Sequence, residues 1–344
     1  MKTIDILKEC ENAEYIGISG HIRPDGDCVG SCMALYMYLT GKLPRAHVYV
    51  YLEPQAKIFT HIAGIDAIDT EYTPQEHYDV FFCLDTEPGR LGKAESLYRG
   101  AAKKINIDHH QTSAGEGDIC VVRPEVGSCA EVLYELLPKE DVDDDMALAI
   151  YLGIIHDTGV FQYSNTRPQT LRIAAELMEH RINFSSLIQE SFYQKSWKEM
   201  KATAWVMLHA ESLFEGKVVL GHMTMKEMKE CDVSTTDLSG IVSELRNIAG
   251  VECAVFMYEL PAGLCRVSLR TGERVDATKI AVTFDGGGHA RAAGCSIRGR
   301  FEEAYGKLLP VLERFFTDCS VENQAAGGES AVNDAGENDG QSDA

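Results

Sequence analysis

The stretch His21-Ile-Arg-Pro-Asp25-Gly-Asp27-Cys-Val-Gly30-Ser31 separates a buried-strand pattern at residues 14–19 from a helical pattern at 30–40. A polar loop between a strand and a helix is typical of α/β proteins, in which the carboxyl ends of parallel strands present side chains to a ligand. Taken alone, Asp25-Gly-Asp27 is more typical of a simple turn. Its meaning therefore depends on the residues at the ends of the neighbouring strands.

Apolar runs that favour strands alternate with helical patterns through the first half of the chain. The strand patterns cover residues 14–19, 46–52, 78–84 and 103–107, and the helical patterns cover 30–40, 130–137 and 146–155. Such alternation predicts an α/β domain with a mainly parallel sheet and helices on both faces. We expect this domain to occupy residues 1–187.

A smaller mixed α/β domain is expected over residues 213–317, across a cleft from the first. Its strand patterns cover residues 217–223, 251–260, 264–269 and 292–298, and its helical patterns cover 237–248, 277–284 and 301–316. Residues 185–212 contain no Gly or Pro and predict one long helix, so 188–212 is assigned as a helical connector. The acidic, Gly- and Ser-rich residues 318–344 are expected to form a disordered tail.

The composition excludes several classes of protein. The 344 residues include 32 Lys and Arg against 53 Asp and Glu, a formal net charge of −21. Binding to long duplex nucleic acid is not expected, because it needs clustered positive charge. The eleven cysteines include no Cys-x-x-Cys pair, which favours reduced, buried thiols. No signal peptide or membrane-length apolar run is present, so we expect a cytoplasmic protein with no membrane partner.

Polar residues come directly after three of the predicted strands. The loop at 20–27 comes after the first strand, Asp85 after the third, and Asp108-His109-His110 after the fourth. His156-Asp157 ends an apolar helical pattern. Because the carboxyl ends of parallel strands converge on one crevice, we expect these His and Asp side chains to lie together.

So many neighbouring carboxylates would repel one another unless cations neutralised them. Asp and His ligands without thiolates suit hard or borderline divalent ions, manganese before zinc. Two ions about 3.5–4 Å apart could share a carboxylate, activate a water and clamp a phosphoryl group. Individually, Asp85 or Asp108 is also typical of a strand end or helix cap, and His156 of an interior histidine. The conjunction of these residues is what favours a metal centre.

In their order, these residues resemble the four motifs of the DHH phosphoesterase superfamily. The motifs are carried by 21–31, Asp85, 108–110 and His156-Asp157-Thr158-Gly159-Val-Phe161. Near the C-terminus, Val267-Ser268-Leu269-Arg270 and Gly286-Gly287-Gly288-His289-Ala-Arg-Ala292-Ala293-Gly294 resemble the first type of DHH-associated C-terminal domain. Together the five motifs cover nearly all of the chain except the tail.

The resemblance implies two divalent ions, manganese foremost, with one shared carboxylate. The six implied ligands are His21, Asp25, Asp27, Asp85, His109 and Asp157. His21 and Asp25 would hold one ion, and Asp27, His109 and Asp157 would hold the other. Asp85 would bridge the two ions. Two catalytic residues are also implied, since Asp108 would orient a histidine and His110 would face the substrate. The role of His156 stays open between the site and the core.

A basic, glycine-rich segment near the C-terminus predicts a phosphate-binding surface. Residues 266–300 contain seven Lys or Arg and three Asp or Glu, a net charge of +4 in an acidic protein. Glycines let backbone N–H groups approach a phosphate closely. Charge alone makes Lys279 a candidate as well. The substrate-binding residues that the resemblance implies are Ser268, Arg270, Gly286, Gly287, Gly288 and His289.

The function predicted from these residues is manganese-dependent hydrolysis of short oligoribonucleotides or of 3′-phosphoadenosine 5′-phosphate. Within the superfamily, the chain resembles the oligoribonuclease and 3′-phosphoadenosine 5′-phosphate phosphatase group. A stand-alone phosphodiesterase of cyclic or linear dinucleotides is the alternative. A non-catalytic nucleotide-binding regulator is a third hypothesis, which the presence of Asp27, Asp85, His109 and Asp157 disfavours. The preferred substrate, the direction of attack and a homodimeric state are left open.

Overall fold

The computed structural model describes residues 4–55 and 57–317. Its contacts divide the chain into a first compact unit that ends at Gln194 and a second that begins at Lys195. The predicted acidic tail at 318–344 lies outside the described residues. Throughout the described part of the chain, every helix is too short or too polar to span a lipid bilayer.

The first unit contains a six-stranded sheet in which all neighbours are parallel. Its strands are β1 (Tyr15–Ser19), β2 (His47–Tyr51), β3 (Ile68–Asp69), β4 (Val80–Leu84), β5 (Lys103–Asp108) and β6 (Ile119–Val122). The order across the sheet is β3-β2-β1-β4-β5-β6, so the chain winds outward in opposite directions from β1 and β4. The crevice beyond the carboxyl ends of these two strands is where such sheets bind ligands.

Helices cover both faces of this sheet, which confirms the predicted fold class. The helices of this unit are α1 (Ile6–Cys10), α2 (Gly26–Lys42), α3 (Glu95–Gly100), α4 (Cys129–Leu136), α5 (Asp144–Asp157), α6 (Pro168–Leu177) and α7 (Phe184–Ile188). The larger core joins one sheet face to α2, α4 and α5, and a tyrosine-rich core joins the other face to α3. Gly153 allows α5 to approach the site closely, because a Cβ there would lie 2.7 Å from Asp27 Oδ1.

The second unit is built on a mixed six-stranded sheet of order β11-β12-β10-β9-β8-β7. Its strands are β7 (Glu211–Leu213), β8 (Val218–Met223), β9 (Cys253–Leu260), β10 (Leu264–Thr271), β11 (Gly287–His289) and β12 (Ala292–Arg298). Its helices are α8 (Trp197–His209), α9 (Met225–Glu230), α10 (Ile241–Arg246), α11 (Ala277–Val282) and α12 (Phe301–Thr317). One core lies between the sheet and α11 and α12, and a second lies between the sheet and α8 and α10.

The prediction of one uninterrupted helix over residues 185–212 is wrong. α7 ends at Ile188, one π-helical turn comes next, and Gln194 is extended with ψ 124°. α8 then begins with a capping box, in which Ser196 Oγ accepts the Glu199 N–H and the Glu199 carboxylate accepts the Ser196 N–H. The Ser-x-x-Glu signal marks a new helix start even though the segment contains no Gly or Pro.

Candidate metal centre

The side chains predicted for the first unit converge at the crevice beside β1 and β4. β1 leads into His21, β4 leads into Asp85, and β5 ends at Asp108. The paired strands hold these three ends side by side, since Ser19 lies opposite Cys83 and Leu84 lies opposite Ile107. The remaining carboxylates come from the start of α2 and the end of α5. The topology therefore gathers residues that are far apart in sequence.

His21 lies between two carboxylates. Its Nε2 is 3.6 Å from Asp25 Oδ1 and 3.4 Å from Asp85 Oδ2. Asp25 is the N-cap of α2, and its Oδ1 accepts the N–H groups of Asp27 and Cys28 at 3.1 Å each. Burial acts to lower the pKa of His21, but the Asp25 and Asp85 carboxylates outweigh it and raise that pKa to about 12.

His109 lies among three carboxylates. Its Nε2 is 3.0 Å from Asp157 Oδ2, 3.3 Å from Asp85 Oδ1 and 3.7 Å from Asp27 Oδ2. The other ring nitrogen, Nδ1, lies 3.3 Å from the Val126 carbonyl oxygen, to which it can donate. That contact fixes the ring so that Nε2 faces the carboxylates, as the outer partner of a metal-binding histidine does.

Asp85 is common to both groups. One of its carboxylate oxygens faces His21 and the other faces His109, and the residue is 2% exposed. Its backbone is held in the left-handed region, with φ +59°. Among the described residues, Asp85 Oδ1 and His109 Nε2 are buried without a hydrogen-bond partner. Buried polar atoms are rarely left unpaired, so this pair of atoms fits a bound cation.

Asp27 is fully buried and is fixed from the opposite side by α4. Its Oδ2 accepts the Cys129 N–H at 2.6 Å, and its Oδ1 accepts the Ala130 N–H at 2.9 Å. Burial and the neighbouring carboxylates of Asp85 and Asp157 raise the pKa of Asp27. A cation would relieve that repulsion, so the charge of the group also fits divalent metal binding.

Three sets of potential ligand atoms lie within 4.8 Å of one another in the described part of the chain. They are His21, Cys28 and Asp85; Asp85, His109 and His110; and Asp27, His109 and Asp157. All six predicted ligands thus lie in one cluster, through these sets and the Asp25 contact to His21. Cys28 departs from the expectation of a donor set without sulfur.

Asp108 is fully buried and orients His110. Its Oδ1 lies 2.8 Å from His110 Nδ1 and also accepts the backbone N–H groups of His109 and His110. The hydrogen bond to Asp108 raises the pKa of His110. The His110 side chain is 38% exposed, so it can contact a substrate while it lies beside the cluster of predicted metal ligands.

His156 lies outside these ligand sets. Its ring packs 5.5 Å from the ring of Phe59 and 4.9 Å from that of Phe192, measured between centroids. It also contacts Gly26, where any Cβ would clash with the imidazole. Burial lowers its pKa. The geometry favours the structural role, in which the His156 ring packs against the start of α2 and holds it in position.

Sequence reasoning missed the groups that position the ligands. Asn165 Nδ2 donates to the carbonyl oxygens of Gly127 and Asp157 at 3.0 and 3.1 Å, which ties the end of α5 to the loop before α4. The N–H groups that hold Asp27 belong to Cys129 and Ala130. No local sequence signal marks these contacts, because each joins segments that only the fold brings together.

In the second unit, four of the six predicted substrate-binding residues share one face of the sheet, while Gly288 pairs with Ala293 in the alternate row and Gly286 precedes β11. Ser268 pairs with Gly294, which pairs with Gly287, and Arg270 pairs with Ala292, which pairs with His289. Residues in such cross-strand rows, two positions apart, point to the same side. Ser268 and Arg270 are half-buried and His289 is exposed.

Two glycines of this segment occupy positions where a side chain would be strained or would clash. Gly288 has φ +143°, and a Cβ on Gly286 would clash with the Gly294 carbonyl oxygen. Lys279 is not part of the same face, because it belongs to α11, whose Ala277 and Ile280 pack in the core on the other side of the sheet. Charge alone was therefore a poor guide to its position.

Comparisons with known proteins agree with this geometry. Residues 15–154 match the DHH family, N-terminal domain, and residues 219–318 match the DHHA1 domain. A protein of Thermus thermophilus named bifunctional oligoribonuclease and PAP phosphatase NrnA is 29% identical over 320 residues, covering 91% of this chain and 93% of the relative. A Bacillus subtilis protein of the same name is 28% identical over 302 residues, covering 86% and 93%.

The crystal structure of an exopolyphosphatase-related protein from Bacteroides fragilis has the same fold. It superposes with a TM-score of 0.79 at 25% sequence identity, covering 91% of this chain and 94% of the other. The resemblance predicted from the motifs is thereby confirmed over both units. The chain is a member of the DHH family, with a DHH family N-terminal domain followed by a DHHA1 domain.

Proposed function

We propose that this protein is a two-metal, manganese-dependent phosphohydrolase that cleaves short oligoribonucleotides and 3′-phosphoadenosine 5′-phosphate. Its family and its relatives make it a hydrolase acting on phosphate ester bonds. The substrates are those in the names of the Thermus thermophilus and Bacillus subtilis relatives. The observation that carries the proposal is Asp85, a buried carboxylate with one oxygen toward His21 and the other toward His109.

In this proposal, His21 and Asp25 hold one ion, and Asp27, His109 and Asp157 hold the other, with Asp85 shared. Mostly oxygen ligands with one imidazole per ion support manganese. When bound, such ions lower the pKa of water and neutralise charge on a phosphoryl group. The chain itself contributes rigidity, since Asp25 and Asp27 are each fixed by two backbone N–H groups.

His110 is proposed to donate a proton to the leaving oxygen. Its partial exposure allows contact with substrate, and Asp108 keeps it protonated to higher pH. Arg270, Ser268, Gly287 and His289 are proposed to bind a phosphate of the substrate, because they line one face of the second sheet. Gly286 and Gly288 are proposed to shape the same loop.

Asp108→Asn should shift the alkaline limb of the kcat profile to lower pH. Because the pKa of His110 is raised, the protonated imidazole is lost only as the pH rises through that pKa. Removing the Asp108 carboxylate lowers the pKa of His110. We expect about 10²- to 10⁴-fold less activity above neutral pH, the usual contribution of general acid–base catalysis. kcat–pH profiles of both proteins, with metal content measured in parallel, test this. An unshifted limb would contradict the role of His110.

Arg270→Ala should raise KM for anionic substrates with little change in kcat. Loss of a charged hydrogen bond costs about 1.5–3 kcal/mol, or roughly ten- to hundredfold in affinity. Lys279→Ala is the matched control, because it removes a cation from the helix on the other face of the sheet. Steady-state kinetics on 3′-phosphoadenosine 5′-phosphate distinguish them, and equal KM values for Arg270→Ala and wild type would remove Arg270 from the site.

The substrate assignment is tested by comparing rates on 3′-phosphoadenosine 5′-phosphate, RNA of a few nucleotides, linear dinucleotides and cyclic dinucleotides, with and without Mn²⁺. The proposal expects Mn²⁺-stimulated turnover that is fastest on the first two substrates. Faster cleavage of the cyclic or linear dinucleotides would favour the alternative phosphodiesterase. Absence of turnover with any divalent ion would favour a nucleotide-binding regulator.

A cytoplasmic location is part of the same proposal. Nine cysteines in the described part of the chain are buried and not disulfide-bonded. Reduced thiols in such number are typical of a reducing compartment.

A further inference from the structure

Cys28 brings a thiol to the candidate metal centre. It lies in the first turn of α2, directly after Asp27, and is fully buried. Its Sγ lies against Gly20, the residue directly after β1, where any Cβ would clash with the sulfur. Sγ, a ring nitrogen of His21 and a carboxylate oxygen of Asp85 all lie within 4.8 Å of one another. One ion could therefore contact all three.

A buried cysteine is more often a small apolar core residue, and Cys28 does belong to the main core of the first unit. Two observations separate it from the other core thiols. Among the described residues, Cys28 is the cysteine whose sulfur lies within 4.8 Å of both a histidine nitrogen and a carboxylate oxygen that could bind the same ion. It also lies beside Asp85, a residue 2% exposed whose Oδ1, the oxygen toward His109, has no hydrogen-bond partner among those residues.

We propose that Cys28 is a thiolate ligand of the ion held by His21 and Asp85, so that this position also binds the thiophilic ions Zn²⁺, Cd²⁺ and Co²⁺. The inference rests on the proposed metal centre. Sulfur, imidazole and carboxylate together form a zinc-type donor set, whereas the ligands around His109 are oxygen and nitrogen. The thiol proton passes to solvent as the metal–sulfur bond forms. The two ion positions thus differ in metal preference.

Cobalt absorption tests this directly on the full chain. After removal of metals and titration with Co²⁺, visible d–d bands report bound ion, and a near-ultraviolet sulfur-to-cobalt charge-transfer band reports a thiolate ligand. Wild type should show both, and Cys28→Ala should lose the charge-transfer band while keeping the visible bands. Cys32→Ala is the matched control, since Cys32 is an equally buried thiol one turn later on α2, and it should keep both.

Affinity gives a second readout. Cd²⁺ binding to Cys28→Ala should weaken by about tenfold or more, while Mn²⁺ binding changes little, because hard ions do not favour sulfur. Cys28→Ser should lose the charge-transfer band as well. Visible bands without a charge-transfer band in wild type, or a band that persists in Cys28→Ala, would overturn the inference and leave the metal centre intact. Absence of any Co²⁺, Cd²⁺ or Mn²⁺ binding would overturn the proposed function too.

Discussion

Asp85→Asn should lose bound metal and hydrolysis together. Both carboxylate oxygens of Asp85 face histidines of the cluster, at 3.4 Å from His21 Nε2 and 3.3 Å from His109 Nε2, so one substitution weakens both proposed ion positions. Charge stabilisation by metal is worth several kcal/mol, and each ~1.4 kcal/mol is tenfold in rate. We expect kcat to fall by about a thousandfold or more. Metal analysis and kinetics on the purified variant measure both effects.

Asparagine is the informative replacement because of the backbone. Asp85 has φ +59°, a conformation that Asn adopts readily and that Ala does not. Loss of metal in the Asn variant therefore reports the missing charge rather than backbone strain. Asp66→Asn, an exposed carboxylate in the same unit, should behave as wild type. An Asp85→Asn protein that retains two ions would refute the shared-ligand role.

The inner strands of both sheets could be predicted within one or two residues, because each contains apolar residues that are buried on at least one face. β12 coincides with the predicted 292–298, and β5 extends one residue beyond the predicted 103–107. Four strands were missed: the two-residue β3, β6, the three-residue β7 and the Gly-Gly-His strand β11. All four lie at sheet edges, where pairing is decided by the neighbouring strand rather than by local composition.

The predicted first residue of a helix is less accurate where a polar N-cap side chain decides where the helix begins. α2 begins at Gly26, four residues before the predicted start at residue 30, because the Asp25 side chain accepts the first free N–H groups. The sequence pattern indicates Asp25 as a metal ligand and gives no separate sign of its capping role. The consequence is functional, since Asp27 and Cys28 lie in the first helical turn and are rigidly placed.

The proposed metal ligands could be predicted from the sequence, but the groups that hold them in position could not. Asp27 and Cys129 are joined by a hydrogen bond across 102 positions of sequence. The donor is a backbone N–H, which any residue could supply, so composition contains no sign of it. Cys28 was missed for a related reason, because a lone cysteine has meaning only once its neighbours are known.

Arg167→Met should destabilise the first unit by about 3 kcal/mol. Glu131 is fully buried in α4 and is paired with Arg167 Nη2 at 2.6 Å and with Thr170 Oγ1 at 2.8 Å. Removing one partner of a buried ion pair costs roughly 3–5 kcal/mol, since it leaves a desolvated charge. The lower end applies here, because the Arg167 side chain is 30% exposed. Urea unfolding followed by a probe in the first unit measures the change.

The same substitution should also weaken metal binding, because the pair anchors the segment that positions Asp157. Arg167 lies two positions after Asn165, which donates to the Asp157 carbonyl oxygen, and freeing this segment loosens that contact. Arg172→Met, on the exposed side of α6, should stay within about 0.5 kcal/mol of wild type. Glu131→Leu combined with Arg167→Met should recover part of the loss, since removing both charges leaves none buried and unpaired. Wild-type stability in Arg167→Met alone would contradict a stabilising role for the Glu131–Arg167 ion pair.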